Sequence, residues 1–228
     1  MQSGIETRQV TIRVDDKNQT SGVITSPSGT SKNIAVVLAH GAGNDMTHAL
    51  MVAFSDGLAH AGYPVLRFNF LYAERGRKAP DQEPLLSATW AAAYRFLKDD
   101  GGLAAGKVVA AGKSMGGRIA SQMAADGRLQ AERLVFLGYP LHRAGDVSTL
   151  RDRHLYGITI PMLFIEGTRD PLCDLRVLDS VLTRLKAPRE LFTIEGGDHS
   201  FHVPKSARMT DEEVYDRIVT RTVEWLSR

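Results

Sequence analysis

The chain has 228 residues, 43% of them hydrophobic and 24% charged, with a net charge of only +2. That balance is ordinary for a globular protein and gives neither nucleic acid nor an anionic membrane a footing as partner. No apolar run approaches the roughly 20 residues of a membrane span, and residues 1–6 lack the basic-then-apolar pattern of a signal peptide. The single cysteine, Cys173, excludes an intramolecular disulfide and suits a reducing compartment. A soluble cytoplasmic protein is therefore expected.

Two short alternating segments open the chain, Val10-Thr11-Ile12-Arg13-Val14 and Ser21-Gly22-Val23-Ile24-Thr25. The turn formers Asp15-Asp16-Lys17-Asn18 between them predict a hairpin. Residues 34–39 are continuously apolar, as a central parallel strand requires, and run into His40-Gly41-Ala42-Gly43. A helix is expected over 47–61, a strand over 65–71, and a polar loop over 73–84 carrying Arg75, Arg77, Pro80 and Pro84. Helical spacing of Ala88, Ala92 and Phe96 predicts a helix over 87–98. Later strands are expected at 134–138, 162–166 and 191–194, with a helix from Leu175 to Lys186. Thr210-Asp211-Glu212-Glu213 reads as an N-cap with an acidic first turn, opening a C-terminal helix. Strands alternating with helices, with no repeat or linker, imply one α/β domain over 1–228: a mostly parallel sheet covered on both faces.

The most informative stretch is Gly112-Lys113-Ser114-Met115-Gly116-Gly117. The apolar Val108-Val109-Ala110-Ala111 precedes it and the helix-forming residues 118–125 follow. Strand, Gly-x-Ser-x-Gly, helix is the context of a nucleophile elbow. The serine sits on a sharp turn, and side chains two positions either side would collide with neighbouring backbone. Gly112-Lys113-Ser114 also resembles the end of a phosphate-binding P-loop. That motif requires a glycine at position 107, where Lys107 stands, and a flexible loop in place of the strand-like 108–111.

A serine nucleophile needs a base, and the base an acid to orient it. Such groups collect at the carboxyl ends of parallel strands. Among the seven histidines, His199 lies in a glycine-rich loop directly after a strand, with His202 as its local competitor. His40 suits a loop brace, and His48, His60, His142 and His154 suit helix or surface positions. Asp170, after the strand at 162–166, is the preferred acid; Asp146 is the other candidate, and Asp198 reads as a turn residue. The backbone N–H groups of Ala42 and Met115 are candidates for an oxyanion hole. Arg67, Arg75, Arg77 and Lys113 are candidates for binding a substrate carboxylate or phosphate, against the alternatives that Arg67 braces the fold and the rest are solvated. Cys173, Trp90 and Trp225 read as core. Neither a His-Glu-x-x-His motif nor a cysteine set for zinc is present, so no metal or organic cofactor is implied.

The chain resembles the α/β-hydrolases, and most closely small, lidless members of the dienelactone-hydrolase type. Residues 40–43, 67–70, 112–118 and 197–201 carry the likeness: His-Gly-Ala-Gly, Arg-Phe-Asn-Phe, Gly-Lys-Ser-Met-Gly-Gly-Arg and Gly-Asp-His-Ser-Phe, in that order. The resemblance implies a sheet of about eight strands and the chain order Ser114, Asp170, His199. It implies a serine hydrolase acting on an ester or thioester of a small acyl group. A monomer or homodimer is expected, the hairpin edge or the last strand being able to pair in a dimer. Dienelactone hydrolases proper use a cysteine nucleophile where this chain has Ser114, so their lactone is not the expected substrate. Only about twenty residues separate the strands at 134–138 and 162–166, too few for a substantial lid. A peptidase with the same triad and a noncatalytic interaction domain are the alternatives.

Overall fold

The computed structural model describes residues 4–100, 103 and 105–228; residues 1–3 of the N-terminal segment discussed above lie outside the described residues. Eight strands form one sheet: β1 (Ile5–Arg13), β2 (Gln19–Pro27), β3 (Ile34–Ala39), β4 (Val65–Phe68), β5 (Lys107–Lys113), β6 (Arg133–Leu137), β7 (Met162–Gly167) and β8 (Arg189–Ile194). Their order is β1-β2-β4-β3-β5-β6-β7-β8. The hairpin β1–β2 joins antiparallel at one edge, and β3 to β8 run parallel.

Among the described residues six α-helices are assigned: α1 (Ala49–His60), α2 (Leu71–Glu74), α3 (Glu83–Arg95), α4 (Met115–Ala125), α5 (Leu175–Leu182) and α6 (Asp211–Leu226). Strand residues alternate between two cores, as the two-residue period of a strand dictates. Val37, Phe68, Ala110, Phe136 and Phe164 face α3, α4 and α5; Val36, Leu38, Val65, Val109 and Val135 face α1 and α6. Thr210 caps α6 through a reciprocal pair of hydrogen bonds with Glu213.

Several boundaries differ from the sequence reading; β1, expected from Val10, begins at Ile5. The segment 65–71 is expected as a strand to Leu71, but β4 ends at Phe68. Asn69 N–H turns back to Ser21 O (3.0 Å), Phe70 N–H goes to His40 (3.0 Å), and α2 begins at once. Helix α3 starts at Glu83, with Pro84 in its first turn, where the missing N–H costs nothing. Helix α5 stops at Leu182, and turn bonds from Arg184 N–H and Leu185 N–H close the segment before Pro188.

The register sets the functional edge. Ala39 pairs with Gly112, Lys113 with Leu137, and Gly167 with Ile194. The loops after β3, β5, β7 and β8 therefore emerge side by side at the carboxyl edge, where open parallel sheets bind ligands.

Candidate active site

Ser114 stands between β5 and α4 with φ +50°, outside the range most L-residues adopt. Its N–H donates to Leu137 O at 3.0 Å, which ties the turn to β6. The flanking glycines follow from close packing. A Cβ at Gly116 would lie 2.6 Å from the carbonyl oxygens of both Ala39 and His40, and one at Gly117 would lie 2.7 Å from Gly112 O. Only glycine lets α4 start this close to β3 and β5.

His199 reaches Ser114 from the loop after β8. Ser114 Oγ–H donates to His199 Nε2 at 2.8 Å, and His199 Nδ1–H donates to Asp170 Oδ2 at 2.6 Å. The Asp170 carboxylate is buried, and its Oδ1 accepts the Leu172 N–H at 2.7 Å, so both oxygens are occupied and the acid is held in one orientation. The other candidates are engaged elsewhere. Asp146 Oδ1 accepts from the N–H and hydroxyl of Ser148 on an exposed loop. Asp198 Oδ1 accepts the N–H groups of Ser200 and His202, shaping the turn that presents His199. His202 sits at the surface beside Asp198 and Asp211.

The loops that carry Asp170 and His199 are interlocked. Thr168 N–H donates to Ile194 O (3.0 Å), Arg169 N–H to Gly197 O (2.8 Å), and Gly196 N–H to Thr168 Oγ1 (2.8 Å). A Cβ at Gly167 would lie 2.6 Å from Asp198 O, so this approach too requires glycine.

Met115 is the first residue of α4, so its N–H has no intrahelical acceptor. Ala42, in the loop after β3, lines the same space above Ser114. His40 braces that loop. Its Nδ1–H donates to Gly41 O at 2.8 Å and its Nε2 accepts the Phe70 N–H at 3.0 Å. Tyr72 Oη–H donates to Gly41 O at 3.1 Å. Burial lowers the His40 imidazole pKa to about 4, so the ring is neutral.

Three of the proposed anion binders lie away from this space. Arg67 is buried and donates to Met46 O at 3.0 Å, bracing the segment before α1. Arg75 extends to Asn18 Oδ1 (2.5 Å) at the tip of the β1–β2 hairpin. Arg77 is paired with Asp81. Arg67 is directed by β4 and Arg75 and Arg77 by the turn after α2, and sequence spacing alone does not reveal either direction. Lys113 does line the site, but buried: its Nζ runs behind His199, 2.9 Å from where a Cβ on Gly138 would be. Burial lowers its pKa to about 8, against the opposing pull of Asp170, Glu166 and Asp198.

Three features escaped the sequence reading. Glu166, at the end of β7, is fully buried, and its Oε1 accepts the Tyr139 N–H at 2.7 Å. Burial holds its carboxyl pKa well above the usual range. His142, expected on a helix or the surface, is buried, donating to Arg143 O (2.9 Å) and accepting from Asp174 N–H (2.8 Å). Arg118 and Arg151 line a cavity that opens at Ser114. Cys173 is buried, as are Trp90 and Trp225. No described helix is long and apolar enough to cross a membrane.

The chain matches the model of the alpha/beta hydrolase domain family over residues 32–227 and belongs to that family. Its fold is shared with dienelactone hydrolase from Anabaena variabilis (22% identity, TM-score 0.75, covering 98% of this chain and 97% of that one). It is also similar to Est1E from Butyrivibrio proteoclasticus (16% identity, TM-score 0.73, 96% and 99% covered). A third likeness is to XC6422 from Xanthomonas campestris, described as an α/β serine hydrolase without lid (17% identity, TM-score 0.70, 95% and 94% covered).

Proposed function

We propose that the chain is a serine hydrolase that cleaves a carboxylic ester or thioester of a small acyl group through an acyl-enzyme. The observation that carries this is the continuous hydrogen-bonded chain from Ser114 through His199 to Asp170, at 2.8 and 2.6 Å. Ser114 Oγ attacks the carbonyl carbon while His199 Nε2 takes the hydroxyl proton. The carbonyl oxygen becomes an oxyanion held by the N–H groups of Ala42 and Met115. As the intermediate collapses, the bond to the leaving oxygen or sulfur breaks and Nε2 returns the proton to it. Water then attacks the acyl-enzyme by the same proton route, releasing the acid and restoring Ser114. Asp170 fixes the His199 tautomer and stabilises the imidazolium. The family match and the esterase and dienelactone hydrolase likenesses support the reading. The proposal further takes residues 1–228 as one domain working in the cytoplasm.

The test is hydrolysis of p-nitrophenyl esters with acyl chains of increasing length, beside fluorophosphonate labelling. Ser114→Ala and His199→Gln should each lower kcat by about 10⁴ or more, and the label should map to Ser114. Neither turnover nor labelling in the unaltered protein would refute the proposal in favour of a noncatalytic interaction domain.

A further inference from the structure

Two cavities meet at Ser114, with Ala42 and Leu172 lining both. The smaller, about 290 Å³, lies on the His199 side and is bounded by His48, Met51 and Ser200. The larger, about 560 Å³, runs along the first turns of α4 past Met115 and Arg118 to Arg151 and His154. His199 borders only the smaller one. In the reading above, His199 protonates the leaving group, so the leaving group departs on that side. The acyl chain then extends the other way, into the larger cavity.

The larger cavity carries more positive than negative charge: Arg118, Arg151 and Arg153 against Asp81 and Glu83. Arg118, on the first turn of α4, donates to the neutral Gln122 Oε1 at 3.2 Å. Arg151 donates to the carbonyl oxygens of Pro140 (3.2 Å) and His142 (3.5 Å). Among the described residues neither guanidinium forms an ion pair with a carboxylate. The exposed Arg153 adds a third cation at the rim. Of the two acids that also line it, Asp81 is already paired with Arg77 and Glu83 is exposed. His154 supplies no balancing charge. Burial and the nearby Arg118 lower its pKa to about 4, and its Nε2 lies 2.8 Å from Ser121 Oγ. Guanidinium groups anchored by neutral acceptors, with donors left over and opening on a cavity beside a nucleophile, suit an oxyacid group.

We infer that the acyl chain of the substrate ends in an anionic oxygen group, a carboxylate or a phosphate, held by Arg118 and Arg151. The inference rests on the serine hydrolase reading and names its substrate class. Arg118 lies four positions beyond Ser114, about 6 Å along the helix axis, so the acyl chain is short, on the order of five carbons. A half-ester of glutaric acid has that reach.

The test compares kcat/KM for mono-p-nitrophenyl glutarate with that for p-nitrophenyl valerate, its neutral counterpart of equal chain length. The half-ester should be preferred by about tenfold or more at low ionic strength, and the preference should shrink as sodium chloride is added. Arg118→Gln and Arg151→Gln should collapse the preference, whereas Arg13→Gln, on the distant hairpin, should keep it. Glutarate and inorganic phosphate, used as competitors of valerate hydrolysis, distinguish a carboxylate from a phosphate by which inhibits more strongly. A half-ester no better than valerate, with no inhibition by either anion, overturns the subsite and leaves the hydrolase reading standing. If Ser114 is labelled by a fluorophosphonate but neither ester turns over, protection from labelling decides. Protection by glutarate or phosphate that is lost in Arg118→Gln supports the subsite, and none refutes it. Absence of both labelling and turnover refutes the hydrolase reading and this inference with it.

Discussion

Acid should loosen this protein through His40, and the size of the effect follows from its surroundings. The ring is 1% exposed, and burial lowers its pKa from 6.5 to about 4. Its Nε2 must stay unprotonated to accept the Phe70 N–H. As pH falls below the unfolded-state value, the unfolded chain binds a proton at this histidine and the folded chain does not. Stability is therefore full above about pH 6.5 and falls as pH drops towards 4. Integrated between pH 7.5 and 5, that difference amounts to about 2 kcal/mol from this one residue. The assay is urea denaturation at both pH values for the unaltered protein and for His40→Gln, which does not titrate. The variant should be weaker at pH 7.5, because a buried polar network is disturbed, and the gap should shrink by about 2 kcal/mol at pH 5. An unchanged gap would refute the reasoning, since it would mean that the folded protein takes up a proton at His40 as readily as the unfolded chain does.

Further outcomes separate the roles assigned above. Asp170→Asn should lower kcat for a p-nitrophenyl ester by about 10⁴, while Asp146→Asn leaves it near the unaltered rate; equal losses would remove the distinction between the two acids. Gly116→Ala drives a Cβ to 2.6 Å from two backbone carbonyl oxygens and should cost about 1–3 kcal/mol in urea denaturation; an unchanged midpoint would contradict that packing. Glu166→Gln keeps an acceptor for the Tyr139 N–H without burying a charge and should change stability by less than about 1 kcal/mol at pH 7. Glu166→Ala orphans that N–H and should cost about 1–3 kcal/mol more than the glutamine variant; equal effects would show that the hydrogen bond carries no stability.

The fold and the Ser114–His199–Asp170 arrangement were legible in the sequence because each rests on a local pattern. Buried parallel strands read as unbroken apolar runs, the sharp turn at Ser114 as two glycines around a serine, and the capped α6 as Thr210 ahead of three acids. The proximity of Asp170 and His199 to Ser114 could be expected because each closely follows a strand, and parallel strands deliver their loops to one edge. What could not be read depends on direction and long-range packing. Arg67 lies on a strand end near the site, yet its side chain points to Met46. Arg118 follows Ser114 by one helical turn, but its place beside Arg151 in one cavity becomes visible only once the segment 140–154 folds over α4. Glu166 lies at the end of an apolar strand, and nothing in its neighbours announces full burial. The end of β4 was overrun because Phe70 and Leu71 prolong the apolar content of the segment while the N–H groups of Asn69 and Phe70 turn to other partners.

The interlock between the loops after β7 and β8 has a mechanical consequence. Three backbone donations and the close approach at Gly167 bind Asp170 and His199 into one body, whereas Ser114 belongs to another, built on β5, β6 and α4. Among the described residues, the one side-chain hydrogen bond linking Ser114, His199 and Asp170 that crosses between these bodies is that from Ser114 to His199. A small shear of β7 and β8 against β6 would leave Asp170 and His199 in register with each other and carry both away from Ser114. Gradual heating should then silence the serine before it parts the histidine from its aspartate.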